Sequence, residues 1–62
     1  MIKGITLKKV EVKSQPLENE EYIIGELAEN VEVEIDIKDF GYYLIKYNGG
    51  FAYVKVYGIK EV

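Results

Sequence analysis

Residues 39–54 read DFGYYLIKYNGGFAYV, and their reading decides the fold. Two apolar runs flank Asn48-Gly49-Gly50. Glycine reaches positive φ without steric cost and asparagine tolerates it, so this tripeptide is a turn signal and the runs are the arms of a β-hairpin. Along the first arm, Tyr43, Ile45 and Tyr47 share one parity and Tyr42, Leu44 and Lys46 the other. The set carrying the β-branched residue is expected to face the core. On the return arm Ala52 and Val54 are expected inside, with Phe51 and Tyr53 on the opposite face.

Upstream, residues 31–37 (VEVEIDI) alternate strictly. Val31, Val33, Ile35 and Ile37 form the dry set and Glu32, Glu34 and Asp36 the wet one, the pattern of a half-buried strand. A helix is excluded because every second position does not share a helical face. One flat row of carboxylates offers too few converging oxygens for a hard cation, so a solvated face is expected and no metal or other cofactor is called for. Lys38-Asp39-Phe40-Gly41 is read as the turn into the hairpin. Its Asp-Phe-Gly string also occurs in kinases, but a kinase needs far more chain.

Residues 4–13 alternate in two bursts, Ile5 with Leu7 and then Val10 with Val12. The step at Lys8-Lys9 shifts the register, giving two short strands or one kinked strand. Residues 14–22 (SQPLENEEY) form a long polar loop, since Pro16 cannot donate to a ladder. Ile23 to Leu27 is a brief strand or turn in which Gly25 marks a bend or a close approach, and Ala28-Glu29-Asn30 is a turn. After the hairpin, a turn at Tyr57-Gly58 leads to a last strand that ends at Val62. With no helical period anywhere, the expected fold is all-β: a small, partly open barrel of five to six short strands, one domain over residues 1–62.

Composition bounds function more than it identifies it. The chain has 62 residues, no cysteine and no histidine. A chain this short buries only about 60% of its unfolded surface, so its core is thin. Ser14 is the lone serine and Thr6 the lone threonine. Without His or Cys the familiar nucleophile–base pairs cannot be assembled, and a thin barrel leaves little room for a carboxylate cleft, so catalysis is not expected. Eight lysines stand against eleven acidic residues, a net charge of −3, which argues against holding a nucleic-acid backbone but leaves room for a small local basic patch such as Lys8, Lys9 and Lys13. No segment approaches the ~20 apolar residues of a membrane span. If Met1 is the native start, a cytoplasmic location is expected. If the chain is an excised domain of a cell-wall protein, the cell surface or secretion is.

The order of these motifs resembles the bacterial Src-homology 3 (SH3b) domain family over nearly the whole chain. The family's Leu-Asn-Val-Arg-Ser-Gly-Pro motif is matched by Val10-Glu11-Val12-Lys13-Ser14-Gln15-Pro16, and its Ile-Gly-x-Leu segment by Ile24-Gly25-Glu26-Leu27. Its alternating strand is matched by Val31 to Ile37. Its Gly-Trp-x-x-Val is matched by Gly41-Tyr42-Tyr43-Leu44-Ile45, and its Asn-Gly turn and Gly-Trp-Val strand by Asn48-Gly49 and Ala52-Tyr53-Val54. Both family tryptophans are tyrosine here, and two of the family's glycines are Gln15 and Ala52. The resemblance implies a non-catalytic binding module, in bacterial cell-wall hydrolases one that holds peptidoglycan and its peptide cross-bridges. A small stand-alone adaptor or assembly protein of phage or mobile-element type, acting by protein contact or self-association, is the alternative.

The expected site follows from parity and resemblance together. Tyr42 and Tyr53 lie on the hairpin face opposite the core, where the family carries its tryptophans. Tyr57 falls near another family aromatic. Tyr22 closes the long loop, whose Glu18, Glu20 and Glu21 flank any groove beside it. A shallow, acid-rimmed aromatic groove between the 14–22 loop and the hairpin is expected to take an extended cell-wall peptide or a protein partner. The protein itself is expected to be a monomer or weak homodimer, with neither nucleic acid nor membrane as partner.

Overall fold

The computed structural model describes residues 2–62. They form one antiparallel sheet of seven strands, curled into a small, partly open SH3-like barrel. In chain order these are β1 (Ile2–Thr6), β2 (Val10–Lys13), β3 (Ile23–Leu27), β4 (Glu32–Asp39), β5 (Tyr42–Tyr47), β6 (Gly50–Lys55) and β7 (Ile59–Glu61). Across the sheet they run β3-β2-β6-β5-β4-β1-β7. The helical content is two single 3₁₀ turns, Glu20–Tyr22 and Val56–Gly58. Seven strands stand where five to six were expected, because the lysine step at 8–9 separates two full strands and residues 23–27 pair as a strand of their own.

The hairpin forms as read, with Tyr47 opposite Gly50 and Ile45 opposite Ala52. Asn48 (φ 48°) and Gly49 (φ 80°) both adopt positive φ, as a two-residue turn matched to strand twist requires. A second turn of the same kind joins β4 to β5, and there Phe40 carries φ 49°. Val12, Val33, Ile35, Ile45, Ala52, Val54 and Ile59 fill the interior with Val10 and the ring of Tyr43. Parity on β5 and β6 is thus obeyed residue by residue.

One expectation on the inner face needs correction. Ile37, expected inside with Ile35, is 53% exposed. The register slips between them: Ile35 opposes Ile45 but Ile37 opposes Leu44, so a bulge at Asp36 turns the rest of β4 over. On β1 the inward positions belong to Gly4 and Thr6. A Cβ on Gly4 would stand 2.7 Å from Ile59 Cγ2 and 2.9 Å from Ile35 Cδ1, so neighbouring side chains already occupy its space. Thr6 is fully buried and satisfied: its Oγ1 donates to Ala28 O (2.6 Å) and accepts from Val31 N–H (2.8 Å), tying the β3–β4 turn to β1.

Candidate functional site

The expected groove starts at the bend of the sheet. β2 meets β6 at one pair, Lys13 opposite Tyr53. Val12 and Lys13 are consecutive and both buried, but toward opposite faces: Val12 enters the core and Lys13 the outer face of the hairpin. Lys13 is only 4% exposed. Its Nζ donates to Leu17 O (3.3 Å), pairs with Glu18 Oε2 (3.5 Å) and stands 5.8 Å from the centroid of the Tyr42 ring. Tyr53 meets the edge of that ring at a centroid distance of 6.4 Å. Glu18 also pairs with Lys55 on β6.

The 14–22 loop therefore lies on the hairpin instead of standing off it. Ser14 N–H donates to Tyr22 O (2.8 Å), closing the loop at its base. Asn19 Oδ1 accepts from Glu21 N–H (2.9 Å), which sets the 3₁₀ turn. Tyr42 lies on the face that parity assigned to it but is only 5% exposed, with Lys13 over its ring and Tyr53 at its edge. Its hydroxyl is buried with no hydrogen-bond partner among the described residues. Tyr22 and Tyr53 are half-buried, while Glu18, Glu20 and Glu21 are exposed. The structure thus brings Tyr42, Tyr53 and Glu18 together around Lys13, with the loop held there by Lys13 and Lys55.

Tyr57 is different. It is 64% exposed, on the 3₁₀ turn after β6. It borders an open pocket of about 420 Å³ on the other side of Lys55, with Lys8, Lys9, Val10, Glu11, Lys13, Glu26 and Gly58 completing the wall. Lys8 Nζ lies 5.2 Å, and Lys55 Nζ 5.5 Å, from the Tyr57 ring centroid. Gly58 lets Val10 close the floor, since a Cβ there would come within 2.6 Å of Val10 Cγ1.

Sequence reasoning allowed Lys8, Lys9 and Lys13 as a local basic patch but assigned them no site, and it missed Lys55. The doubled lysine before an apolar alternation was the signal available for Lys8 and Lys9. It also missed Phe40, which is 85% exposed in a backbone conformation that L side chains rarely adopt. Val56 N–H donates to Gly41 O (3.0 Å), so the Phe40 turn is fastened one residue from Tyr57. No helix among the described residues is long and apolar enough to cross a membrane. Compared with known proteins, the chain matches no family model and no curated protein.

Proposed function

We propose that the protein is a non-catalytic binding module that holds an extended peptide at the open pocket beside Tyr57, to which the Phe40-Gly41 turn is tied through the Val56–Gly41 hydrogen bond. The carrying observation is that one exposed aromatic, Tyr57, borders an open pocket while a second, Phe40, stands on the turn hydrogen-bonded to the residue before it. Phe40 keeps a strained turn position and Tyr57 a solvent-facing ring, and neither serves the core. Strain retained at an exposed aromatic is a sign of recognition, because an asparagine or glycine would make the same turn more easily. Aromatic faces take up peptide backbone and side-chain stems, and an open pocket of this size suits a segment of a few residues. The resemblance to bacterial Src-homology 3 domains makes cell-wall peptides the first source to try. Affinity is expected to be roughly micromolar or weaker, since a free peptide must be ordered on a shallow surface.

A second reading has its own observation. The outer face of β4–β6 presents Ile37 and Phe51, each 53% exposed, beside Leu44. That strip suits self-association or a protein partner, as an assembly protein would need. NMR titration with cell-wall fragments, then with glycine-rich and lysine-rich peptides, separates the two. Amide shifts at Phe40, Gly41 and Lys55 to Gly58 support peptide binding. Unchanged spectra with every ligand, together with a sedimenting dimer whose interface shifts map to Ile37 and Phe51, would replace it with the second reading.

A further inference from the structure

We infer that the pocket beside Tyr57 is a carboxylate site, in which Lys8, with Lys55 and Lys9, receives an acidic side chain or the C-terminal carboxylate of the bound peptide. This rests on the peptide-binding reading above and specifies its ligand class. Four of the chain's eight lysines line this one pocket against two glutamates, in a chain whose net charge is −3. Positive charge is therefore concentrated where the concavity is, on a molecule that is otherwise acidic.

The four lysines are not equivalent. Lys13 is already engaged, its ammonium held by Leu17 O and Glu18. Lys9 pairs with Glu26 at 3.5 Å, with both side chains exposed, a contact that water and salt weaken. Lys55 shares Glu18 with Lys13. Lys8 has no carboxylate partner among the described residues, and its ammonium rests against the Tyr57 ring. Lys8 and Lys55 thus bring two ammonium groups to one aromatic ring. A carboxylate arriving there meets charge-assisted donors on both, with Val10 and Gly58 as its floor. Glu11 and Glu26 on the same wall limit the site to one anionic group. A run of phosphates would meet both glutamates, which leaves a single peptide carboxylate as the fitting ligand.

The test is a titration of isotope-labelled protein with blocked glycine peptides. One carries a central Glu, one a free C-terminus, one Gln in place of Glu and one Lys, with inorganic phosphate alongside. Either carboxylate peptide is expected to shift Lys8, Lys9 and Tyr57 and to bind about tenfold tighter than the Gln peptide, the size of one charge-assisted contact. Which of the two binds tighter tells a side-chain acid from a chain end. The preference is expected to fade in about 0.5 M salt, where the Debye length is only a few Å. Lys8→Gln, an exposed change that leaves the core untouched, is expected to remove most of the preference while spectral dispersion stays intact. Equal binding of the Glu and Gln peptides at Tyr57 overturns the carboxylate site and leaves peptide binding standing. Preference for the Lys peptide, or phosphate binding as tightly as the carboxylates, also overturns it. No shift with any peptide removes peptide binding itself.

Discussion

The two faces of the β5–β6 hairpin are built from one sequence pattern but in different materials. The inner face is dry and aliphatic: Ile45, Ala52 and Val54 pack against Val12, Val33 and Ile35. The outer face is also covered at one end, yet by a lysine stem, a tyrosine ring and a polar loop, with Lys13 and Tyr42 as its most buried members. Parity tells which side of a sheet a residue occupies. It does not tell what will lie on top, because that depends on where a distant loop comes to rest.

The largest expected contrast lies between neighbours. Ile45 is fully buried and Leu44, next to it, faces outward and is half-buried. Ile45→Ala is expected to cost about 3 kcal/mol, combining lost transfer energy with a cavity that a thin barrel cannot close. Leu44→Ala is expected to cost about 1 kcal/mol or less. Urea denaturation of both variants measures the difference, and equal losses would mean that the outer face carries as much of the stability as the core.

The next contrast separates charge from stem. Lys13 is buried along its length, and its ammonium has one carbonyl and one exposed carboxylate for partners. Lys13→Ala is expected to lose about 2 kcal/mol, because the loop and Tyr42 lose the hydrocarbon they rest on. Lys13→Met keeps that hydrocarbon and is expected to stay within about 1 kcal/mol of the native protein, since Glu18 remains solvated and retains Lys55. A Met variant as damaged as the Ala variant would show that the ion pair, not the packing, holds the loop down.

The third effect depends on pH. Tyr43 reaches across the interior to β7, where its hydroxyl donates to Glu61 Oε2 at 2.7 Å. The hydrogen bond to Glu61, then burial and the negative charge of Glu61, hold this phenol above the ordinary tyrosine value of 10.0. The folded state therefore favours the neutral form. The stabilisation is whole below about pH 10 and is lost as pH rises through the higher folded value. Stability is expected to fall on the alkaline side, and Tyr43→Phe is expected to make that fall shallower relative to its own neutral-pH baseline. An unchanged alkaline slope in the Phe variant would mean that other groups govern it.

The limits of legibility follow from the same contrast. The hairpin, its turn and the buried set Val33, Ile35, Ile45, Ala52 and Val54 were readable because each is a local pattern that twist and parity carry directly into structure. Ile37 was misplaced because a bulge inserts one residue without any glycine or proline to announce it. Gly4 and Thr6 were not seen as interior positions because one has no side chain and the other is polar, and only their neighbours explain them. At the site, Tyr57 was legible as an aromatic in a turn. The meeting of Lys8 with Lys55 at its ring was not, because the two are 47 positions apart in the chain and come together only through the fold.

Phe40 extends the comparison to the turns. Asn48-Gly49 and Phe40-Gly41 have nearly the same φ pair, but asparagine suits the first position and phenylalanine does not. Phe40→Asn is expected to raise stability by about 1 kcal/mol, since it relieves the left-handed strain and gives up no packing. The same variant is expected to weaken peptide binding at Tyr57. A more stable protein with undiminished binding would show that the exposed ring has no part in recognition.

The smallest effect tests the outer cluster at its least satisfied atom. The Tyr42 hydroxyl is buried without a hydrogen-bond partner among the described residues, whereas its neighbour Tyr43 has Glu61. A buried hydroxyl without a hydrogen bond has lost its hydration and received nothing in exchange. Removing it takes away that desolvation cost and leaves the ring, its edge contact with Tyr53 and its place under Lys13 unchanged. Tyr42→Phe is therefore expected to be neutral or stabilising by up to about 1 kcal/mol, whereas Tyr43→Phe at neutral pH is expected to cost about 1 kcal/mol. Thermal unfolding of the two single variants and the double variant reads both, and their effects are expected to add, since the two rings face opposite sides of the sheet. If Tyr42→Phe instead lost as much as Tyr43→Phe, solvent would have to reach the hydroxyl, and Lys13 and Tyr53 would be a looser cover than their contacts with the ring imply.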